Sequence, residues 1–178
     1  MKEGYPMRID PITPGTRPEL AEQEAQIMAE RGRISVLYQV LLNSPPIAHG
    51  WEQMLSAVRN RSSLDAGLRE LVILRVAILN RAPYEFEAHV PHALAAGKTQ
   101  DAIDAVRSPS LPDEAPWTEA ERAALRMTDA MTRDIEVPDA LFAEVRKHFD
   151  SQGLIDLTAT IGAYNMVSRF LVALQIGH

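Results

Sequence analysis

The chain has 178 residues, a length that suits a single domain. Apolar residues make up 46% of it and charged residues 24%, an ordinary balance for a globular protein with a sizeable core. The formal net charge of -6 argues against a nucleic-acid partner, because binding phosphate groups requires a basic face. The chain contains no cysteine, so a disulfide, a thiolate metal site and a cysteine nucleophile are excluded within it.

The sequence indicates neither a membrane span nor a secretion signal. No apolar run reaches the roughly 18 residues that a membrane span requires. The N-terminal segment MKEGYPMRIDPITPGTRPEL carries charges and prolines and lacks the apolar centre of a signal peptide. A cytoplasmic protein with no membrane partner is therefore predicted.

The N-terminal segment is predicted to be extended. Its prolines fall within residues 1–18 and predict an arm that either wraps a neighbouring subunit or is loose. Helical periodicity begins near Glu19, so residues 19–178 are predicted to form the helical domain. Gly32 separates the first helix of this domain from a second helix over residues 34–42.

The next predicted helices form the centre of the fold. Pro46 opens one of them, because proline suits the first helical turn, where its missing N–H is harmless. Ser62 and Ser63 are N-cap candidates for a helix over residues 64–79, which is apolar nearly all round and is expected to be buried. The helix after it is expected to end at Gly97, since glycine favours the left-handed C-terminal position.

Four more helices are predicted in the remaining sequence. They cover residues 99–106 behind a Thr99 cap, 118–131 behind a capping box of Thr118 and Glu121, 138–149 and 154–176. The proline-rich residues 108–116 are predicted to form a loop. No window alternates as a strand does, so the sequence predicts an all-α fold.

The segment over residues 84–92 contains the most unusual set of side chains. Glu85, His89 and His92 fall within a stripe about 60° wide on one helix face. The stripe has three interpretations: a general acid/base group, a metal site, or a solvated and weakly paired helix face. Pro91 is expected to kink the helix, which either disrupts the stripe or leaves Glu85 and His89 as a pair.

Two charged residues lie in the otherwise apolar helix over residues 64–79. Glu70 is expected to lie near water, to be paired, or to be held for function, since burying an unpaired carboxylate is costly. Arg75 raises the same question. Its simplest explanation is a structural ion pair, within the fold or across a subunit interface.

Three segments resemble the core of the carboxymuconolactone decarboxylase family, which also contains the alkylhydroperoxidase-D-like (AhpD-like) proteins. They are LRELVILRVA at 68–77, APYEFEAH at 82–89 and AAG at 95–97. Residues 161–170 resemble the closing helix of the longer members. The resemblance implies a single-domain, all-α orthogonal multi-helix bundle that assembles as a homotrimer or homohexamer.

Resemblance to the peroxidase branch of this family implies a proton relay that has lost its thiols. Glu70 and His89 match the glutamate and the histidine of that relay. Ala82 and Glu85 stand at the positions of the two cysteines in the Cys-x-x-Cys motif. A thiol-dependent peroxidase activity is therefore excluded for this chain.

Resemblance to the decarboxylase branch implies a lyase or isomerase of aromatic compound catabolism that acts on a small carboxylated or lactone metabolite. Glu85 and His89 match the glutamate–histidine spacing of that branch. Loss of carbon dioxide generates an enolate, which needs stabilisation and then a proton on carbon. The implied roles are acid/base catalysis by His89, its orientation by Glu85, and a relay through Glu70 behind that pair.

An anionic substrate requires a cation, and the chain offers several. The predicted substrate-binding residues are Arg81, Tyr84, His92 and Arg169, with Arg75 as a further candidate cation. No cofactor and no metal are expected, and the expected partner is the small-molecule substrate. Two alternatives stay open, a non-catalytic oligomeric protein that binds small molecules and a metal-dependent enzyme that uses Glu85, His89 and His92.

Overall fold

The computed structural model of the protein describes residues 6–177, and every regular element in that range is helical. This confirms the predicted all-α class. The helices are α1 (Ala21–Arg31), α2 (Val36–Leu41), α3 (Pro45–Ser56), α4 (Ala66–Leu79), α5 (Pro83–Ala95), α6 (Gln100–Ala105), α7 (Glu119–Arg133), α8 (Asp139–Val145) and α9 (Ser151–Leu174). A 3₁₀ turn over Pro18–Leu20 precedes α1, and a π-helical turn over Ala57–Arg61 follows α3.

The described residues divide into two compact units. One comprises residues 6–61 together with 171–177, and the other comprises Ser62–Phe170. The second unit contains every predicted catalytic and substrate-binding residue. The predicted boundary between an arm of residues 1–18 and a domain of residues 19–178 stays a prediction.

Helix α4 forms the centre of the second unit because nearly all of its residues are apolar. Leu71 and Leu74 are fully buried and belong to one apolar cluster with Phe86 of α5, Ile103 of α6 and Leu125 of α7. Burying one such side chain contributes about 1.5–3 kcal/mol to the stability of the fold. This cluster therefore fixes α4 and α5, the two helices that carry the predicted catalytic residues.

The N-cap of α4 is Asp65, whose carboxylate accepts a hydrogen bond from the backbone N–H of Leu68 at 3.0 Å. The prediction of Ser62 or Ser63 as the cap is wrong. Ser63 instead donates its hydroxyl proton to Asp156 at 2.7 Å. Helix α4 consequently begins at residue 66 rather than at residue 64.

The other predicted helix signals are confirmed. Thr99 accepts a hydrogen bond at the start of α6, and Thr118 forms the capping box with Glu121 at the start of α7. Gly97 follows α5 with a φ of 83°, a left-handed conformation that costs glycine little. These local rules therefore define the ends of the helices that surround α4.

The last two helices differ from the predicted ranges. Helix α8 ends at Val145 instead of near residue 149. Helix α9 begins at Ser151 instead of at residue 154, because the carboxylate of Asp150 accepts a hydrogen bond from the N–H of Gly153 at 2.8 Å. The aspartate thus supplies a helix start that the prediction assigned to the glycine.

The described part of the N-terminal segment is attached to the first unit. The N–H of Arg8 donates to the carbonyl of Leu174 at 3.0 Å, and the N–H of Ile12 donates to the carbonyl of Gln39 at 3.0 Å. The side chain of Ile12 is buried. The expectation of a loose arm is therefore wrong for these residues.

Helix α9 is long and apolar enough, by length and composition, to cross a membrane: its most apolar window has a mean hydropathy of 1.2. This corrects the expectation that no segment of the chain meets that criterion. Within the structure, 44% of the window is buried. Core helices of soluble proteins pass the same test, so the helix alone does not indicate a membrane protein.

Candidate active site

Two helices that pack together carry the three predicted catalytic residues. Glu70 lies in α4, whereas Glu85 and His89 lie one turn apart in α5. Pro83 begins α5, where its missing N–H removes no hydrogen bond from the helix. Glu85 is in the first turn of α5, where the helix dipole favours a carboxylate. The local sequence thus presents a carboxylate followed, one turn later, by an imidazole.

The structure brings these three side chains together in a buried group, which we call the carboxylate–histidine cluster (Glu70, Glu85 and His89). Nδ1 of His89 lies 2.6 Å from Oε2 of Glu70, and Nε2 of His89 lies 3.3 Å from Oε1 of Glu85. The exposed fractions are 2% for Glu70, 5% for Glu85 and 6% for His89. The predicted position of Glu70 behind the other two is wrong, because Glu70 contacts the imidazole directly and at the shorter distance.

The pKa of His89 reflects two opposing influences. Burial is the largest single influence and lowers the pKa, because it disfavours the charged imidazolium. Hydrogen bonds to Glu70 and Glu85, together with the attraction of both carboxylates, raise the pKa and prevail. The pKa of His89 is therefore above the ordinary 6.5, so the imidazolium persists further into the neutral range than in a free histidine.

Two aromatic rings lie beside the imidazole of His89. The buried ring of Tyr164, from α9, makes a T-shaped contact with a centroid distance of 5.2 Å. The exposed ring of His92 lies 5.6 Å away at an angle of 53°. Helix α5 continues without interruption through Pro91, so the proline does not separate the two histidines.

The other three predicted substrate-binding residues have different surroundings. Arg81 is exposed in the turn before α5 with a φ of 56°, and Tyr84 is half-buried at the start of α5. Arg169 is exposed on α9 and donates to the backbone carbonyl of Asn165 at 3.1 Å. Across residues 6–177, no hydrogen bond or ion pair joins these three side chains to the carboxylate–histidine cluster.

Arg75 has a structural role. Its side chain is completely buried, and its Nε and Nη2 donate to the two carboxylate oxygens of Asp129 at 2.5 and 2.6 Å. Its Nη1 donates to the backbone carbonyls of Val106 and Ser108. The ion-pair explanation of this residue is therefore confirmed, and the guanidinium is already engaged within the fold.

Two residues beside the cluster were missed as functional candidates by the sequence reasoning. Nε of Arg69 lies 3.7 Å from Oε1 of Glu70, and the side chain is 14% exposed. The sequence signal for Arg69 was its charge, which stands directly before Glu70 in an otherwise apolar helix. Tyr164 was assigned to packing, and its distance from His89 in the sequence gives no sign of their contact.

The described residues contain no group of three or more histidine, cysteine, aspartate or glutamate side chains that could hold a metal ion. The two ring nitrogens of His89 face carboxylates at 2.6 and 3.3 Å, an arrangement suited to carrying protons. The geometry thus favours the acid/base interpretation of Glu85, His89 and His92 over the metal-site interpretation.

Comparison with known proteins supports the predicted family resemblance. The family model described as the carboxymuconolactone decarboxylase family matches residues 45–130, which include the carboxylate–histidine cluster. The solved structure of the Agrobacterium tumefaciens protein ATU0492, whose name links it to AhpD, is 28% identical in sequence, with a TM-score of 0.70 over 78% of this chain and 94% of that one. Both findings support the similarity of the chain to the carboxymuconolactone decarboxylase/AhpD-like superfamily.

Two relatives in the superfamily are proteins without a described activity. The chain is 28% identical to the uncharacterized protein YdfG of Bacillus subtilis over 122 residues, which cover 64% of this chain and 78% of the relative. It is 36% identical to the uncharacterized protein YnjA of Escherichia coli over 125 residues, which cover 66% of this chain and 64% of the relative. The match thus spans just under two thirds of the length of YnjA.

Two more distant solved structures share the fold of the superfamily. The peroxidase-related protein of Silicibacter sp. TM1040 is 18% identical, with a TM-score of 0.80 over 98% of this chain and 93% of that one. A cysteine-to-alanine variant of the debrominase Bmp8 in complex with 2,3,4-tribromopyrrole is 16% identical, with a TM-score of 0.79 over 97% of this chain and 92% of that one. These similarities confirm the predicted AhpD-like fold.

Proposed function

We propose that the protein is a thiol-free acid/base enzyme of the lyase or isomerase type that acts on a small carboxylated or lactone metabolite. The superfamily includes enzymes, which supports a catalytic role. The observation that carries the proposal is the buried imidazole of His89 between the carboxylates of Glu70 and Glu85. A histidine held in this way is suited to general acid/base catalysis near neutral pH.

The two ring nitrogens of His89 have separate tasks in this proposal. Nδ1–H donates to Glu70, which fixes the tautomer and the orientation of the ring. Nε2 faces Glu85 and exchanges a proton with it. Decarboxylation of the substrate breaks the bond to the carboxyl carbon and leaves the electron pair on an enolate, which then receives a proton on carbon from the His89–Glu85 pair.

The absence of cysteine separates this proposal from the thiol chemistry of the wider superfamily. The chain has no cysteine, and a carboxylate, Glu85, occupies the position four residues before His89. A carboxylate at this position carries a proton without undergoing thiol oxidation. The proposed enzyme therefore needs no thiol reductant.

The predicted substrate contacts remain part of the proposal. The ring of His92 beside His89 supports a role for this residue in substrate binding. Arg81, Tyr84 and Arg169 are proposed to contribute when the substrate is bound. Arg75 is withdrawn as a candidate, because its guanidinium is committed to Asp129 and to backbone carbonyls.

We also propose that the protein is a cytoplasmic homotrimer or homohexamer with no nucleic-acid or membrane partner. On α9, Ile155 is 69% exposed and Met166 is 41% exposed. Single exposed apolar side chains are normal on a protein surface, so the support for an interface is that these two lie on the same face of α9, about three turns apart. A second copy of this chain would cover them in the proposed oligomer.

Isotope exchange tests the proposed reaction class. The protein is incubated in deuterated water with a panel of lactones and enolisable carboxylates, and deuterium on substrate or product carbon is measured by proton NMR. Exchange with the wild-type protein but not with His89→Ala is expected. No exchange across the panel would instead favour a non-catalytic small-molecule-binding protein.

A further inference from the structure

Arg69 lies next to the carboxylate–histidine cluster. Its Nε is 3.7 Å from Oε1 of Glu70, and the other oxygen of the same carboxylate lies 2.6 Å from Nδ1 of His89. The exposed fraction of the side chain is 14% for Arg69 and 2% for Glu70. One buried carboxylate thus has a guanidinium at one oxygen and an imidazole at the other.

The contact between Arg69 and Glu70 is unusual for adjacent residues in a helix. Residues i and i+1 point about 100° apart around the axis and do not normally face each other. Nε of Arg69 is buried and has no hydrogen-bond partner among the described residues. A distance of 3.7 Å is longer than a hydrogen bond, so Arg69 supplies a positive charge at this point rather than a directional bond.

We propose that Arg69 is a positioning residue: its guanidinium keeps Glu70 ionised, and the ionised Glu70 holds a proton on Nδ1 of His89, which leaves Nε2 to exchange protons with Glu85. A neutral Glu70 could donate its own proton to Nδ1 and would remove that constraint on the tautomer. The positive charge of Arg69 opposes this change, because protonating Glu70 would leave a buried cation without its counter-ion.

The electrostatic effect of Arg69 on His89 adds to the effects of the groups that contact the imidazole. Among the described residues these include Glu70 on the same helix as Arg69, Glu85 and His92 on α5, and Tyr164 on α9. Both carboxylates stabilise the imidazolium, whereas Arg69 and a protonated His92 destabilise it. Arg69 therefore acts on His89 in two opposite ways: its charge disfavours the imidazolium directly, and it favours the imidazolium by keeping Glu70 ionised. The tautomer of His89 separates these two effects.

Histidine NMR tests the role of Arg69 without a substrate. Imidazole nitrogen and carbon-bound proton signals of His89 are followed over pH in the wild-type protein, in Arg69→Gln and in Arg69→Lys. Losing the positive charge lets Glu70 hold a proton and donate it to Nδ1, so neutral His89 in Arg69→Gln is expected to shift from the Nδ1–H tautomer towards the Nε2–H tautomer. Arg69→Lys keeps the charge and is expected to keep the Nδ1–H tautomer.

Arg126→Gln is the matched control, because it removes the same charge from an exposed arginine of α7 that pairs with Glu144. Its neutral His89 is expected to keep the Nδ1–H tautomer. An unchanged Nδ1–H tautomer in a folded Arg69→Gln would overturn the proposal. If that variant does not fold, the tautomer of neutral His89 in the wild-type protein tests the proposal instead. The proposal requires the proton to be on Nδ1, and a proton on Nε2 would overturn it.

This inference deepens the proposed function but does not depend on it for its test. The titration reports the charge on Glu70 and the tautomer of His89 whether or not a substrate is found. Failure of isotope exchange would therefore leave the role of Arg69 intact. A contradicting NMR result would remove the positioning role proposed for Arg69. The acid/base roles of His89 and Glu85 would still be tested by turnover.

Discussion

Glu70 and His89 are 19 positions apart in the sequence, yet Oε2 of Glu70 lies 2.6 Å from Nδ1 of His89 in a buried environment. The contact joins α4 to α5 through two titratable groups, so it contributes to stability as well as to the proposed chemistry. Its strength depends on the charge of the imidazole, which makes that contribution dependent on pH.

Stability should therefore vary with pH through His89. Because its pKa in the folded protein is raised above 6.5, the stabilisation is fully present below about pH 6.5 and is lost as the pH rises through the raised value. The difference in unfolding free energy between the wild-type protein and His89→Gln should shrink as the pH rises above about 6.5 in urea titrations at fixed protein concentration. A difference that is constant or grows over this range would contradict the assignment.

The side chain of Lys98 passes directly over the backbone of Gly67, and this close contact provides a second test of the structure. A Cβ atom at Gly67 would lie 2.0 Å from Cε of Lys98, whose Nζ pairs with Glu121. Gly67→Ala should displace the flexible end of the lysine and disrupt that ion pair, and it should destabilise the protein by no more than about 1 kcal/mol in urea unfolding, because the lysine can move away and alanine favours the helix.

Two comparisons isolate the cause of that loss. Gly50→Ala in α3 is the matched control, because a Cβ there meets nothing within 4 Å, and it should be neutral or stabilising by about 0.5–1 kcal/mol. In a Lys98→Ala background, Gly67→Ala should lose most of its effect. An equal loss of unfolding free energy with and without the Lys98 side chain would show that the contact between Lys98 and Gly67 is not responsible.

The ion pair of Arg75 with Asp129 should be a major stabilising contact, because Arg75 is completely buried. Asp129→Asn leaves that charge without its counter-ion and should cost about 3–5 kcal/mol of unfolding free energy. Asp113→Asn is the control: Asp113 is 93% exposed and 4.0 Å from Arg126, so its loss should cost less than about 1 kcal/mol. Equal costs for the two variants would contradict this assignment.

The sequence was a good guide to the helices, because helix ends depend on local patterns. The capping box of Thr118 and the left-handed Gly97 are examples of such patterns. The cap of α4 was misassigned because Ser63 pairs with Asp156, which is distant in the sequence. Similarly, the spacing of Glu85 and His89 on one helix could be predicted, whereas the direct contact with Glu70 depends on how α4 packs against α5.

The proposed oligomer should depend on the exposed face of α9. Ile155→Glu and Met166→Glu each place a charge on an apolar exposed position, and each should reduce the wild-type mass in analytical ultracentrifugation towards that of a monomer. Phe142→Glu, at an exposed apolar position of α8, tests whether a charge on any exposed apolar side chain has the same effect. A wild-type protein that is monomeric at micromolar concentration would contradict the proposed assembly.

The central claim is that His89 and Glu85 carry the proton in catalysis, and turnover of a substrate identified by isotope exchange tests it most directly. Glu85→Gln and His89→Ala are each expected to lower kcat by at least about 100-fold, the usual size of a general acid/base contribution, while the oligomer stays intact. Glu87→Gln serves as the control, since Glu87 is an exposed carboxylate on the same helix and should keep wild-type turnover. Wild-type turnover in either of the first two variants would contradict the account.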